Sequence, residues 1–348
     1  MADALFENKL IVGPSPHVGT CDSVSRIMWS VVIALVPAFF VAALNFGLYA
    51  VAVALVSIIT AVIVEAAVQK FRGVPITVSD GSAVVTGLLL AFTLPPDVPL
   101  YIPVIGSAFA IGIAKHAFGG LGCNIWNPAL AGRAFLLAAY SSNIVMTKWP
   151  ILGTPFTGNV AIDAVTKATP LAVLKTAPLA FFKSYSLMEL FLGRIAGSMG
   201  EMSALVLIIG GLFLIFKGYI NWRLPLGFIL TVAVLTVLLP VRDSHGEFIV
   251  LWRHLDTVGF NQIIGISLAQ VLSGGLMLGA FFMATDMVTS PLSGRGQLIF
   301  GIGCGVLTAI IRLYGGYPEG VCYSILIMNT AVWLIDKHTV PRFFGARK

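Results

Sequence analysis

Residues 163–171 read DAVTKATPL. Within them the order Asp163-x-x-Thr166-x-Ala168-Thr169 sets one carboxylate ahead of two hydroxyls, with a small residue beside the last. A threonine oxygen in such a stretch can accept a phosphate covalently, provided the segment is exposed and its small neighbours leave room for a modifying enzyme. Asp163 could orient the segment or help hold a cation during transfer. An ordinary polar loop turning at Thr169-Pro170 uses the same residue types. What surrounds the stretch must decide between the two.

A second set of chemical groups lies where the chain is otherwise apolar. Glu65, Asp80, Asp286, Glu319 and Asp336 fall within or at the ends of hydrophobic runs, where acidic side chains are costly and default to function. Asp80, in TVSDGSAVVTG, stands beside Ser79 and Ser82; Asp286, in ATDMVTSP, stands between Thr285 and Thr289. A carboxylate among hydroxyls offers oxygen ligands to a hard cation such as Na⁺, and it can equally carry a proton. Helix capping explains Asp80 at least as well, whereas Asp286, after a long apolar run, leans to function. Glu319 follows Pro318 and suits an external turn, and Asp336 beside Lys337 and His338 suits an interfacial pair. Asp286, Asp80, Asp336 and Glu319 are the ion-pathway candidates. No histidines stand at metal-ligand spacing and the four cysteines form no CxxC pair, so no metal is expected. Phosphate-binding glycine loops and serine-nucleophile elbows are lacking too.

The elements that must carry these groups follow from composition. Of 348 residues, 58% are hydrophobic and 10% charged, and the mean hydropathy is +0.96. A soluble domain uses about 25% charged residues, so this supply cannot cover a water-exposed surface. The chain reads as an all-α, polytopic membrane protein. Residues 1–21 are polar and contain proline, unlike a cleavable signal. The net charge of +6 does not imply nucleic acid, because the basic residues are scattered at the ends of apolar runs.

A transmembrane helix takes about 20 apolar residues. Ten stretches qualify: 26–45, 47–69, 81–94, 99–118 and 126–143, then 202–217, 223–240, 262–284, 297–313 and 320–336. The third is short, from Asp80-Gly81 to Pro95-Pro96, and reads as a re-entrant or broken helix. With the N-terminus in the cytoplasm, the inside collects Lys9, Arg26, Lys70, Arg72, Lys115, Lys217, Arg223, Arg295 and the tail Lys337, Arg342, Arg347 and Lys348. Short outside loops then hold only Arg242, Arg253 and Arg312, the asymmetry of the positive-inside rule. Both termini are expected inside and 144–201 outside. The organisation is therefore a first half at 1–143, a loop at 144–201 and a second half at 202–348. Five spans per half give the halves opposite orientation, as in inverted repeats, and NPALAGRAF (127–135) echoes SPLSGRGQL (290–298).

With that context, the pattern at 163–169 resembles the flavinylation motif D-x-x-(S/T)-x-(A/S)-(S/T), in which a transferase joins FMN through its phosphate to the last hydroxyl. Lys167 stands where many such motifs have glycine. Along nearly its whole length the chain also resembles the RnfD/NqrB family. These are the D subunit of the Rnf ion-translocating ferredoxin:NAD⁺ oxidoreductase and the B subunit of the Na⁺-translocating NADH:quinone reductase. The resemblance is carried by LIVGPSPHV (10–18), SDGSAVVTGLLLAFTLPP (79–96), FGGLGCNIWNPALAGRAFL (118–136), DAVTKATPLA (163–172), FFMATDMVTSPLSGRGQLIFG (281–301) and GGYPEGVCYSILIMN (315–329). The short segment before the first span favours the D-subunit type.

The resemblance implies a ten-helix, urea-transporter-like fold in two inverted five-helix repeats, set in a bacterial or archaeal cytoplasmic membrane. It implies FMN on Thr169, with Asp163, Thr166 and Ala168 completing the motif, and a second, non-covalent flavin, riboflavin, in the membrane core. Implied partners are A-, B-, C-, E- and G-type subunits, a flavin transferase for maturation, and membrane lipid. Electron transfer between ferredoxin and NAD would be coupled to Na⁺ or H⁺ movement. The alternatives are a reductase B-type subunit, a plain channel of the same fold, or a scaffold without cofactor. Covalent flavin separates a redox subunit from the last two.

Overall fold

The structure is a computed structural model that describes residues 22–141, 144, 169–193, 197–201, 203–242, 248–254, 259–316 and 319–339. Helices overlap each of the ten expected stretches. In chain order they are α1 (Val24–Phe46), α2 (Leu48–Phe71), α3 (Ser82–Thr93), α4 (Tyr101–Phe109, continuing as a π-helical turn Ala110–Lys115) and α5 (Pro128–Ala139). Three short helices follow, α6 (Pro170–Thr176), α7 (Phe181–Ser184) and α8 (Leu187–Leu192). Then come α9 (Ala204–Phe216), α10 (Arg223–Leu238), α11 (Phe260–Leu272), α12 (Leu276–Leu278, continuing as a π-helical turn Gly279–Met283), α13 (Gly294–Tyr314) and α14 (Val321–Thr339).

Length separates these helices. Three are long and apolar enough to cross a membrane: α1, α2 and α13. The pair Phe260–Leu272 and Leu276–Met283, bent by 62°, makes a fourth if taken as one span. The others differ from the expectation. Ser82–Thr93 and Pro128–Ala139 have 12 residues each, about 18 Å of helix against a hydrocarbon core of about 30 Å. Proline sets these limits. Pro95-Pro96 follow α3 closely, and Pro128 can only be the first residue of α5, where its missing N–H costs nothing. Ends of this kind persist at depth only inside protein or along a cavity.

The packing is that of a chain in lipid. α2 turns Leu55, Ile59 and Ile63 outward at four-residue spacing and buries Ala50, Val53, Ala54, Ser57, Ala61 and Glu65. Large apolar side chains thus face the surroundings, and small or polar ones face neighbouring helices, which lets backbones approach closely. A Cβ on Gly87 of α3 would lie 2.7 Å from Ile58 Cα of α2, and one on Gly301 of α13 would lie 2.5 Å from the Leu224 carbonyl oxygen of α10. Ser57 seals the first of these contacts, donating to the Gly87 carbonyl at 2.7 Å and sharing a hydrogen bond with Ser107 at 2.9 Å.

Two further features depart from the sequence reading. A two-stranded antiparallel hairpin, β1 (Pro240–Arg242) with β2 (Phe248–Val250), interrupts the all-α pattern, with Val241 opposite Ile249. The expected loop 144–201 is folded over its second half. There Leu171, Leu174, Phe181 and Leu190 form a small core with Val241, Leu251, Ile263 and Ile266. The echo of 127–135 in 290–298 marks two helix starts, those of α5 and α13. Each of these helices follows a π-helical turn, and with α11 and α12 counted separately each is the fifth helix of its half.

Candidate functional site

The starts of α1, α3 and α5 and both π-helical turns line a large cavity that carries several polar groups. Its empty volume is about 790 Å³, including space open to the outside, and its lining includes Ser82, Thr86, Lys115, Asn124, Asn127 and Asp286. Each has a structural reason to be there. Gly81 takes a left-handed φ of 82°, allowing the sharp turn that starts α3 with Ser82. Asp80 holds that turn, accepting from the Ser82 amide at 2.8 Å and the Ser82 hydroxyl at 2.7 Å. Asn127 caps α5, its Oδ1 accepting from Ala129 and Leu130, while its Nδ2 donates to the Met283 carbonyl across the molecule. Asp286 follows the second π-helical turn and accepts from the Val288 amide at 3.4 Å and the Thr289 hydroxyl at 3.2 Å.

Lys115 ends the first π-helical turn, a feature often found at functional sites. Its ammonium donates to both Glu65 oxygens at 2.8 Å and to Ser82 Oγ at 2.7 Å. Lys115 and Glu65 are only 2% and 1% exposed. Gln69 adds a 3.3 Å bond to Glu65, and His116 Nε2 lies 3.7 Å from the same carboxylate. Asp80, Ser82, Lys115 and Glu65 thus form one continuous chain of charged and polar groups from α3 to α2, with one side open to the cavity.

A second, smaller cavity lies toward the side that carries α6–α8. It has an empty volume of about 290 Å³ and is lined by Thr93, Arg133, Ser198, Glu201, Glu319 and Cys322, among others. Arg133 of α5 pairs with Glu319, which stands just ahead of α14. Arg312 of α13 donates to the Glu319 carbonyl at 3.0 Å, the Gln270 carbonyl at 2.5 Å and the Ser273 carbonyl at 3.2 Å. A guanidinium there satisfies carbonyls that the break between α11 and α12 leaves free, and it opposes the negative end of α11. The two cavities share walls: α3 gives Thr86 to one and Thr93 to the other, and the second π-helical turn gives Phe282 to one and Met283 to the other.

The expected site residues fall in different places. Asp286 lines the larger cavity and Asp80 stands one hydrogen bond behind it. Glu319 belongs to the smaller cavity. Asp336 faces neither; it accepts from the Leu292 amide at 3.1 Å, not from a neighbouring basic side chain, and ties α14 to the loop ahead of α13. Thr169 is partly buried at the start of α6, its hydroxyl oxygen accepting from the Ala172 amide at 3.1 Å. Asp163, Thr166 and Ala168 lie outside the described residues.

Two basic residues that entered the loop-charge asymmetry are not loop charges. Lys115 and Arg312 are both buried, because each has specific oxygen partners in the interior. Dropping one from each side leaves the inside excess intact. Arg133 and Glu201 escaped the sequence reading altogether. The available signal was a lone charge inside or beside an apolar run, the same rule that picked out the acidic candidates.

Residues 11–345 match the NQR2, RnfD, RnfE family. The chain belongs to this family. Similar proteins include the D subunit of the proton-translocating ferredoxin:NAD(+) oxidoreductase complex of Clostridium ljungdahlii, 47% identical with all of both chains covered. Its counterpart in the Na(+)-translocating complex of Acetobacterium woodii is also 47% identical, covering 98% of this chain and 97% of its own. The D subunit of the ion-translocating oxidoreductase complex of Stutzerimonas stutzeri is 40% identical over 93% of each chain. The family resemblance carried by the quoted motifs is therefore borne out over almost the whole chain. Overall similarity does not select the ion, since proton- and Na(+)-named relatives are equally alike.

Proposed function

We propose that this chain is the D-type membrane subunit of an Rnf-type ion-translocating electron-transport complex and carries FMN as a phosphoester on Thr169. The observation that carries the reading is Thr169 itself. The last hydroxyl of the flavinylation pattern is the capping oxygen of α6, and α6 is anchored by Leu171 and Leu174 in the small core next to α11. A flavin joined there through its phosphate would be held on a folded support rather than on a free loop. The full-length match to D subunits favours this type over the reductase B subunit.

The larger cavity is suited to the second flavin, riboflavin. Asn124 lines that cavity, and its Oδ1 is buried with no hydrogen-bond partner among the described residues, leaving an acceptor for a ring N–H. Val31, Val85, Leu89 and Phe282 offer apolar walls. The isoalloxazine would supply the electron transfer, and the protein its placement and electrostatics. Asp286, with Asp80 behind Ser82, would hold the translocated cation near that flavin, because charge arriving in a low-dielectric site favours a compensating cation.

The same reading places the chain in the cytoplasmic membrane with both termini inside and Thr169 outside, in contact with A-, B-, C-, E- and G-type subunits. It also takes the helical stretches as two inverted, urea-transporter-like halves. Five stretches on either side of 144–201 support this, as does the echo of 127–135 in 290–298 at the starts of α5 and α13.

Co-expression with a flavin transferase, followed by denaturing electrophoresis, tests the proposal. A fluorescent band should appear for the parent and for Thr169→Ser and vanish for Thr169→Ala. A dark parent band, with the transferase active on a control protein, would return the chain to a transporter-like role.

A further inference from the structure

Two carboxylates are buried among the described residues, Glu65 and Glu201. Glu65 has Lys115, but Glu201 makes no ion pair among the described residues. It is nonetheless buried, on a 3₁₀ turn, Met199–Glu201, that precedes α9. That turn is fixed against the first half, where the Met199 amide donates to the Leu94 carbonyl at 3.2 Å. It is packed so closely that a Cβ on Gly200 would lie 2.8 Å from Phe92 Cβ. The carboxyl itself lies between Gly197 and Gly275. A Cβ on Gly197 would fall 2.9 Å from one of its oxygens, and one on Gly275 would fall 3.9 Å from the other. It therefore faces the smaller cavity at the break between α11 and α12.

We propose that Glu201 is a proton-binding station of the ion path, on the side of the molecule opposite Asp286. This rests on the translocating role argued above. The surroundings favour a proton over a metal cation. The charged groups facing the carboxyl are Arg133 from α5, Arg312 from α13 and Glu319 from the segment before α14. Two guanidinium groups oppose a proton and a metal cation alike, so the number of available ligands separates the two. The remaining walls offer too few oxygens for a metal shell: hydroxyls of Thr93 and Ser198, beside Leu130, Leu278, Met283 and the Cys322 thiol. Glu201 precedes α9 and lies in none of the spans. Burial, above all, pushes its carboxyl up to about 7, with Glu319 adding to the rise and Arg133, Ser198 and Arg312 opposing it. A group of this kind changes charge near neutral pH.

Infrared spectra of purified full-length protein in lipid nanodiscs, taken from mildly acidic to mildly alkaline buffer, read the protonation directly. Wild type should show a protonated-carboxyl band that disappears through neutral pH. Glu201→Gln should lack it, and Glu201→Asp should shift its frequency. The aspartate variant keeps the test decisive if the glutamine variant fails to fold. A titrating band that both variants leave unchanged, or no such band in wild type, overturns the proposal. In proteoliposomes holding the whole complex, Glu201→Gln should lower the ions moved per electron severalfold while electron transfer continues. An unchanged ratio removes Glu201 from the path. Covalent flavin on Thr169 is scored in the same preparations: its absence would count against the redox role and leave the infrared result standing.

Discussion

Replacing Lys115 with methionine isolates the buried pair that links α2, α3 and the first π-helical turn. The substitution keeps the length of the side chain and removes its charge. Glu65 would lose both 2.8 Å contacts, and Ser82 Oγ would lose its 2.7 Å donor. What remains at the carboxylate is the Gln69 amide at 3.3 Å and His116 Nε2 at 3.7 Å. With Glu65 1% exposed, water cannot replace the ammonium without opening the helix contacts. Breaking a buried pair from one side typically costs about 3–5 kcal/mol, chiefly because a charge stays buried without its partner. Removing both charges is far cheaper. Lys115→Met should thus destabilise by about 3 kcal/mol or more, and Lys115→Met/Glu65→Gln should recover to within about 1 kcal/mol of wild type. Reversible unfolding in mixed detergent micelles, followed by tryptophan fluorescence, measures the full cycle. A single variant within about 1 kcal/mol of wild type, or a double variant no more stable than the single, would refute the reasoning.

Two further outcomes follow from the packing and the cavities. Gly301→Ala should cost about 1–3 kcal/mol, because its Cβ meets the Leu224 carbonyl and the Phe228 amide of α10; Gly303→Ala meets only the flexible end of Met328 and should cost less in the same unfolding assay. Asp286→Asn keeps one oxygen to accept from the Val288 amide and presents an NH2 that can donate to the Thr289 hydroxyl, but it removes the charge. Cation-coupled turnover of the reconstituted complex should fall while flavin stays attached, and full transport by this variant would exclude Asp286 from the path.

Much of this protein was legible in residue order, for identifiable reasons. The helical stretches follow from apolar runs and their proline and glycine limits, which act locally. Asp80 could be read as a cap because capping depends on residues two or three positions away, and the structure has it holding Ser82. Thr169 could be singled out because its pattern lies within seven consecutive residues. Family membership was legible for the same reason, in long motifs kept in order along the chain.

Other features depend on which helices lie side by side, and no local pattern records that. Lys115 looks like a boundary charge until α2 brings Glu65 to it across 50 positions. Arg312 looks like a loop cation until the break after α11 presents carbonyls from Gln270 and Ser273. Asp336 sits beside two basic residues in sequence yet bonds to Leu292, 44 positions away. The sequence by itself determined the membrane character, the helix-forming stretches, the family and the proposed acceptor hydroxyl, each set by composition or by contiguous residues. Only the tertiary structure decided which charges are buried, which are paired, and that Glu201 faces a cavity without an ion-pair partner among the described residues. Burial and pairing are properties of packed surfaces, and in this chain those surfaces join residues more than a hundred positions apart, as Arg133 joins Glu319.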